Sequence, residues 1–251
     1  MGCKFDPVRS IFSFEVWFQN KISVIFPAYN EEENISEAIG DFLGTSVVDE
    51  LIVVDNNSRD KTAKLAKLAG AKVITEKKQG YGFALQKGLK EASGDLCILA
   101  EPDGTFCGFD IFKLLSYSDS FDLVLGTRTK NEFIKKGANM STFLRFGNIL
   151  VAKFMQLLFD TTSLSDCGCT LRLIRRKLLK KILPKFTVGG SHFLPEMVII
   201  SKLSEAKIIE IPVNYLMRKG VSKITGSFER ALIVGLRMTF LIITYRIRNR
   251  L

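Results

Sequence analysis

DLCILAEPDGTF, residues 95–106, sets an apolar run of strand length directly against two acids one residue apart, Glu101 and Asp103. Glu101 falls where a buried strand would end. In open α/β sheets, ligands bind at the carboxyl ends of strands. Working outward, KISVIFPAYN (21–30) reads as a buried strand running into a turn, and EEENISEAIGDFL (31–43) as a helix whose acidic first turn suits its N-terminus. ELIVVDNNSRD (50–60) is a second strand finishing on an acid, Asp55, followed by a helix over 61–69. AKVITE (71–76) is a short third strand, YGFALQKGLKEAS (81–93) a third helix entered through the Gly-rich turn QGYG, and DLVLGTR (122–128) a further strand. This alternation predicts βαβ units, a mainly parallel sheet and the α/β class.

With 251 residues, 47% of them apolar, the chain can bury one large core. The net charge of +10 implies an anionic partner: nucleic acid, anionic lipid or a phosphorylated substrate. Five cysteines, Cys3, Cys97, Cys107, Cys167 and Cys169, form no CxxC pair and His192 is the only histidine, which argues against zinc and for a reduced, cytoplasmic setting. The opening MGCKF is similar to a lipidation signal but carries Asp6 where that signal wants Ser or Thr. IFSFEVWF (11–18) is too short and too interrupted for a signal peptide. No nucleic-acid partner is expected, since the basic residues are not interleaved with aromatics and no groove-reading motif is present.

Composition shifts after about residue 217. Eight basic residues, Arg218, Lys219, Lys223, Arg230, Arg237, Arg246, Arg248 and Arg250, stand against the single acid Glu229 and frame the apolar run 231–245. At ~1.5 Å per residue this run is too short to cross a ~30 Å hydrocarbon core. It is expected to lie on an anionic bilayer as an interfacial helix; packing on the core or on the second subunit of a homodimer is the alternative. LRLIRRKLLKKIL (171–183) reads as a second basic helix, with Leu171, Ile174, Leu178 and Ile182 on its buried stripe.

Pro102 and Gly104 bend the chain so that Glu101 and Asp103 can face one hard cation, Mg²⁺ or Mn²⁺, leaving positions open for phosphate oxygens. Acids in turns are common and mostly solvated. The company of Asp55, of PAYNE (27–31) and of the QGYG turn, all at strand ends, describes one cleft.

PAYNEEENI, VVDNNSRDKT, KKQGYGFALQKGLKEASGD, EPDGTF, GTR, DCGCTLRLI and IPVNYLMRKGVSKI, in this order over roughly residues 21–224, resemble the family 2 glycosyltransferases of GT-A fold. They are most similar to the branch of polyprenyl-phosphate glycosyltransferases that includes dolichol-phosphate mannosyltransferases. The resemblance implies a Rossmann-like, mainly parallel sheet flanked by helices, and inverting transfer of a sugar from a nucleotide-sugar donor (GDP-mannose or a UDP-hexose) to a polyprenyl-phosphate acceptor. It divides the chain into an extension (1–20), a catalytic domain (21–225) and a basic amphipathic helix (226–251). Carried over by position, Pro27, Tyr29, Glu31 and Asp55 would hold base and ribose, Glu101 and Asp103 the metal and diphosphate, and Arg128, Arg218, Ser222 and Lys223 phosphates. Glu101 replaces the usual first Asp of the metal motif, Asn56 stands where many members carry a second Asp, and Thr105 stands where the mannosyltransferases often have Gln.

A lipid phosphate is already anionic near neutral pH and needs no strong protein base, whereas a hydroxyl acceptor would need one, for which Asp166 and Glu196 are the candidates. His192 is expected in a loop, and Cys167 and Cys169 as small buried residues. The expected enzyme is peripheral on the cytoplasmic face of the membrane, without added spanning helices. A soluble enzyme with a hydroxyl acceptor, using the last helix to dimerise, is the competing reading.

Overall fold

The computed structural model describes residues 20–135, 137–138, 142–218 and 228–249. Ser222, Lys223, residues 1–19 and residues 250–251 lie outside these. The elements run β1 (Ile22–Ala28), α1 (Ile35–Leu43), β2 (Glu50–Asp55), α2 (Thr62–Leu68), β3 (Lys72–Thr75), α3 (Tyr81–Glu91), β4 (Leu96–Leu99), α4 (Asp110–Leu115), β5 (Leu123–Thr127), α5 (Thr142–Phe159), β6 (Arg172–Arg175), α6 (Arg176–Ile182), α7 (Phe193–Leu203), β7 (Ile208–Pro212) and α8 (Phe228–Arg248).

The strands form a seven-stranded sheet of order β3-β2-β1-β4-β6-β5-β7. β3, β2, β1 and β4 are parallel, β6 is antiparallel to both neighbours, and β7 returns parallel to β5. The parallel half has the βαβ rhythm expected, and its central strands are apolar on both faces, as helices on both sides require. One core layer packs Ile39, Phe42, Ile111 and Leu114 against one sheet face, and the other packs Leu85, Leu89, Met197 and Ile242 against the opposite face.

Residues 171–183 are not one helix. Arg172–Arg175 is strand β6 in the middle of the sheet, and only Arg176–Ile182 is helical. The stripe read at helical spacing, Leu171, Ile174, Leu178 and Ile182, is buried because the strand is covered on both faces and the helix on one. A short apolar run cannot be assigned by period alone.

Helix α5 went unread in the sequence. By length and composition it is able to cross a membrane, with 18 residues and a mean hydropathy of 1.2. Its Ala152, Met155 and Phe159 are buried, while Phe146 and Leu157 are exposed. It packs along α8, whose Met238 and Ile242 are buried and whose Leu236 and Phe240 are exposed.

Candidate active site

The carboxyl ends of β1, β2 and β4 open onto a cleft. After β4 the chain turns through Gly104, whose φ of 76° is a left-handed conformation that glycine adopts freely. The bend read from Pro102 and Gly104 is present. It buries Asp103, whose Oδ1 accepts hydrogen bonds from the Thr105 amide at 3.0 Å and the Thr105 hydroxyl at 2.5 Å, while Oδ2 lies 2.6 Å from the Arg218 guanidinium. Glu101 accepts hydrogen bonds from Tyr81 Oη at 3.0 Å and Thr170 Oγ1 at 2.7 Å.

Burial first, and the neighbouring Asp103 second, push the Glu101 carboxyl up to about 7. The two carboxylates line the same cavity and repel one another, with Arg218 set against Asp103 alone. All-oxygen donors of this kind suit Mg²⁺ or Mn²⁺, and among the described residues no cluster of three or more His, Cys, Asp or Glu forms a closed metal cage. Without a cation, the folded state holds the Glu101 proton more tightly than the unfolded chain, where the carboxyl titrates near 4.5. Its contribution to stability is complete below pH 4.5 and is lost as pH rises through about 7. Thermal melts of metal-free protein are therefore expected to show this loss across pH 4.5–7.5, and Glu101→Gln to flatten it; an unchanged profile in that variant would place the titration elsewhere.

Two cavities meet at Tyr81, Glu101 and Arg218. The smaller, about 180 Å³, is lined by Pro27, Tyr29, Glu31, Asn56 and Asp103 among others. Glu31 also meets Arg218, at 3.4 Å. Asp55 is buried at the end of β2, lines neither cavity, and has an Oδ1 that finds no hydrogen-bond donor among the described residues. Asn56 knots the next loop: its amide donates to the carbonyls of Glu76 and Lys78, both at 2.8 Å, and its Oδ1 accepts from the Gly80 amide at 2.7 Å. That loop delivers Tyr81 to Glu101.

The larger cavity, about 410 Å³, is polar at the Glu101 end, where Arg128, Thr170, Ser191 and Arg218 line it, and apolar beyond, between α5 and α8. Arg128 lies over the Tyr215 ring, 5.3 Å from its centre, and is gripped bidentately by Asp166, Nε to Oδ2 at 2.8 Å and Nη2 to Oδ1 at 3.0 Å. Asp166 is fully buried and also accepts from the Gly168 amide.

Glu196 lines neither cavity. It is fully buried in α7 and accepts from the Thr187 amide and hydroxyl, the Val188 amide and Tyr245 Oη of α8 at 2.6–3.1 Å. His192 stands in the turn before α7, and Cys167 and Cys169 are buried. Tyr81, Thr170 and Thr105, which set the two acids, went unassigned as site residues in the sequence. The buried Arg172, whose guanidinium donates to the carbonyls of Cys169 at 3.1 Å and Leu194 at 3.0 Å, was likewise unread; it ties the 166–170 loop to α7. The QGYG turn was the available signal for Tyr81.

Residues 23–183 match the glycosyl transferase family 2 model. The chain belongs to that family and is a glycosyltransferase. It is 30% identical over 208 residues to a dolichyl-phosphate hexose transferase of Haloferax volcanii, covering 81% of this chain and 86% of the relative. It is also 28% identical over 233 residues to a UDP-N-acetylglucosamine–dolichyl-phosphate N-acetylglucosaminyltransferase of Methanococcus voltae, covering 82% and 91%. In fold it is similar to glucosyl-3-phosphoglycerate synthase of Mycobacterium tuberculosis, solved with Mn²⁺ and UDP, at a TM-score of 0.73 and 19% identity over 97% of this chain and 86% of the other.

Proposed function

We propose that the protein transfers a hexose from a nucleoside-diphosphate sugar to the phosphate of a polyprenyl phosphate, working on the cytoplasmic face of a membrane. The observation that carries this reading is the shape and chemistry of the joined cavities: a polar cleft at the strand ends opens, past Glu101, into a passage with two arginines at one end and apolar helices at the other. An anionic head with an apolar tail matches that polarity. The names of the two curated relatives point to the same acceptor class.

In this reading Pro27, Tyr29, Glu31 and Asp55 receive the nucleoside, Arg128 and Arg218 receive phosphates, and Ser222 and Lys223, outside the described residues, complete the phosphate contacts. Glu101 and Asp103 would hold Mg²⁺ or Mn²⁺, which when bound supplies positive charge against the departing diphosphate. An acceptor phosphate oxygen attacks the anomeric carbon from the face opposite the diphosphate. The bond to the diphosphate oxygen breaks, and its electron pair leaves with the nucleoside diphosphate. Because the acceptor oxygen is already anionic, no proton must be removed. Asp166 then serves by aiming the Arg128 guanidinium, a bidentate grip that fixes a planar phosphate binder.

The test is incubation of the purified protein with a panel of labelled nucleotide sugars and prenyl phosphates, with and without Mn²⁺. Metal-dependent formation of a lipid-linked sugar is expected; label moving only to a hydroxyl acceptor would overturn the reading.

The membrane contact is assigned to the exposed apolar faces of α5 and α8. At ~1.5 Å per residue, the 18 residues of α5 reach about 27 Å, and Arg145 and Lys153 interrupt them, as Arg237 interrupts α8. Charges of this kind suit helices lying in the headgroup layer. Burying two large apolar side chains is worth about 1.5–3 kcal/mol each. The variant Leu236→Glu, Phe240→Glu is therefore expected to lose flotation with anionic vesicles at least tenfold. Unchanged flotation, with a dimer that falls apart instead, would assign the face to a second copy of the chain.

A further inference from the structure

Glycine inside a helix is less stable than alanine because it gives up more backbone freedom, so a mid-helix glycine calls for a reason. Most glycines here show one. A Cβ on Gly88 would enter the Ile25 side chain, one on Gly82 would strike the backbone of residues 188–190, and one on Gly126 would come within 2.7 Å of the Leu171 carbonyl. Gly147 in α5 and Gly235 in α8 show the opposite: nothing stands within 4 Å of where a Cβ would be. Close packing does not account for them.

Both line the 410 Å³ cavity. Gly40 also has open space around it, but it lies on the exposed side of α1 and lines neither cavity. The two helices that carry Gly147 and Gly235 also pack together, and their exposed Phe146 and Leu236 line the same cavity where it reaches the surface. The missing side chains leave width inside a passage that runs from Arg128 and Arg218 to that apolar surface.

We propose that Gly147 and Gly235 form the chain path of the acceptor, an opening between α5 and α8 through which a linear isoprenyl chain passes while its phosphate stays at the arginines. This rests on the prenyl-phosphate reading above and goes beyond it, by assigning a chain subsite and the residues that set its bore. The occupant follows from the polarity of the passage: two arginines at the end where it joins the strand-end cleft, mainly apolar side chains between α5 and α8, and continuity with the exposed apolar residues of those helices. A saccharide set between α5 and α8 would find few partners for its hydroxyls beyond Asn148 and Thr239.

The experiment compares Gly147→Leu, Gly235→Leu and Gly40→Leu, the last as a control outside the cavity, on prenyl phosphates of two isoprene units and of about ten, with nucleotide affinity measured alongside. A leucine in the passage displaces several methylenes' worth of apolar chain contact. The ratio of kcat/KM for long over short acceptors is therefore expected to fall about tenfold or more in both cavity variants, through KM, and to stay at the wild-type ratio in Gly40→Leu. Wild-type ratios in both cavity variants, or equal losses at both chain lengths, would overturn the chain path and leave the acceptor class standing. A wild-type protein that glycosylates no prenyl phosphate would remove the acceptor class, and the chain path with it.

Discussion

Asp103→Ala is expected to abolish sugar transfer, lowering kcat/KM by about a thousandfold or more, the scale on which a buried electrostatic contact to a leaving group acts. The residue is buried and placed: Thr105 fixes one carboxylate oxygen with two hydrogen bonds, and the other lies 2.6 Å from Arg218. In the proposed site, removing it takes away a hard oxygen donor and leaves the Arg218 guanidinium with Glu31. Nucleoside-diphosphate binding, followed by calorimetry with and without Mn²⁺, is expected to lose its dependence on the metal. Asp103→Asn retains the Thr105 contacts and removes the charge; it is expected to stay folded, to melt below wild type because Arg218 loses this partner and keeps Glu31, and to be inactive at temperatures where it is fully folded. Near-normal turnover by either variant would remove the metal and diphosphate from this turn.

The second large effect is expected at Asp166. Its carboxylate and the Arg128 guanidinium form a buried bidentate pair, and breaking such a pair from one side strands the other charge at a cost of about 3–5 kcal/mol. Asp166→Ala is therefore expected to lose stability on that scale in urea unfolding, together with activity. The double variant Asp166→Ala, Arg128→Ala leaves no stranded charge. It is expected to recover part of the stability and none of the activity, because the phosphate-binding guanidinium is gone. Recovery of both would make the pair purely structural and return Arg128 to the scaffold.

Much of the candidate site's geometry was legible because its signals are local. An apolar run that ends on an acid and is followed by Pro and Gly bends the chain at the end of a buried strand, as it does at 101–104, and the ends of β1 at Ala28 and β2 at Asp55 fall beside that bend. Asn56 was legible as a departure from the family pattern; that it knots the 76–80 loop was not, since its partners lie twenty or more residues away. Glu196 was a reasonable candidate base by position. Four hydrogen-bond donors converging on it from the 187–188 loop and from α8 make it a buried tie between elements distant in sequence.

By itself, the amino-acid sequence determined the α/β class, the parallel half of the sheet, the turn that carries Glu101 and Asp103, and the family. Each depends on periodicity, turn chemistry or motif order within a few neighbouring residues. Tertiary structure alone decided that Arg172–Arg175 is a strand between β4 and β5, that Tyr81 and Thr170 hold Glu101, that Asp166 grips Arg128, and that α5 and α8 line a mainly apolar passage beside the strand-end cleft. The reason is the same in every case. Burial and pairing are set by what a segment packs against, and here the partners stand about 20 to 90 residues apart along the chain.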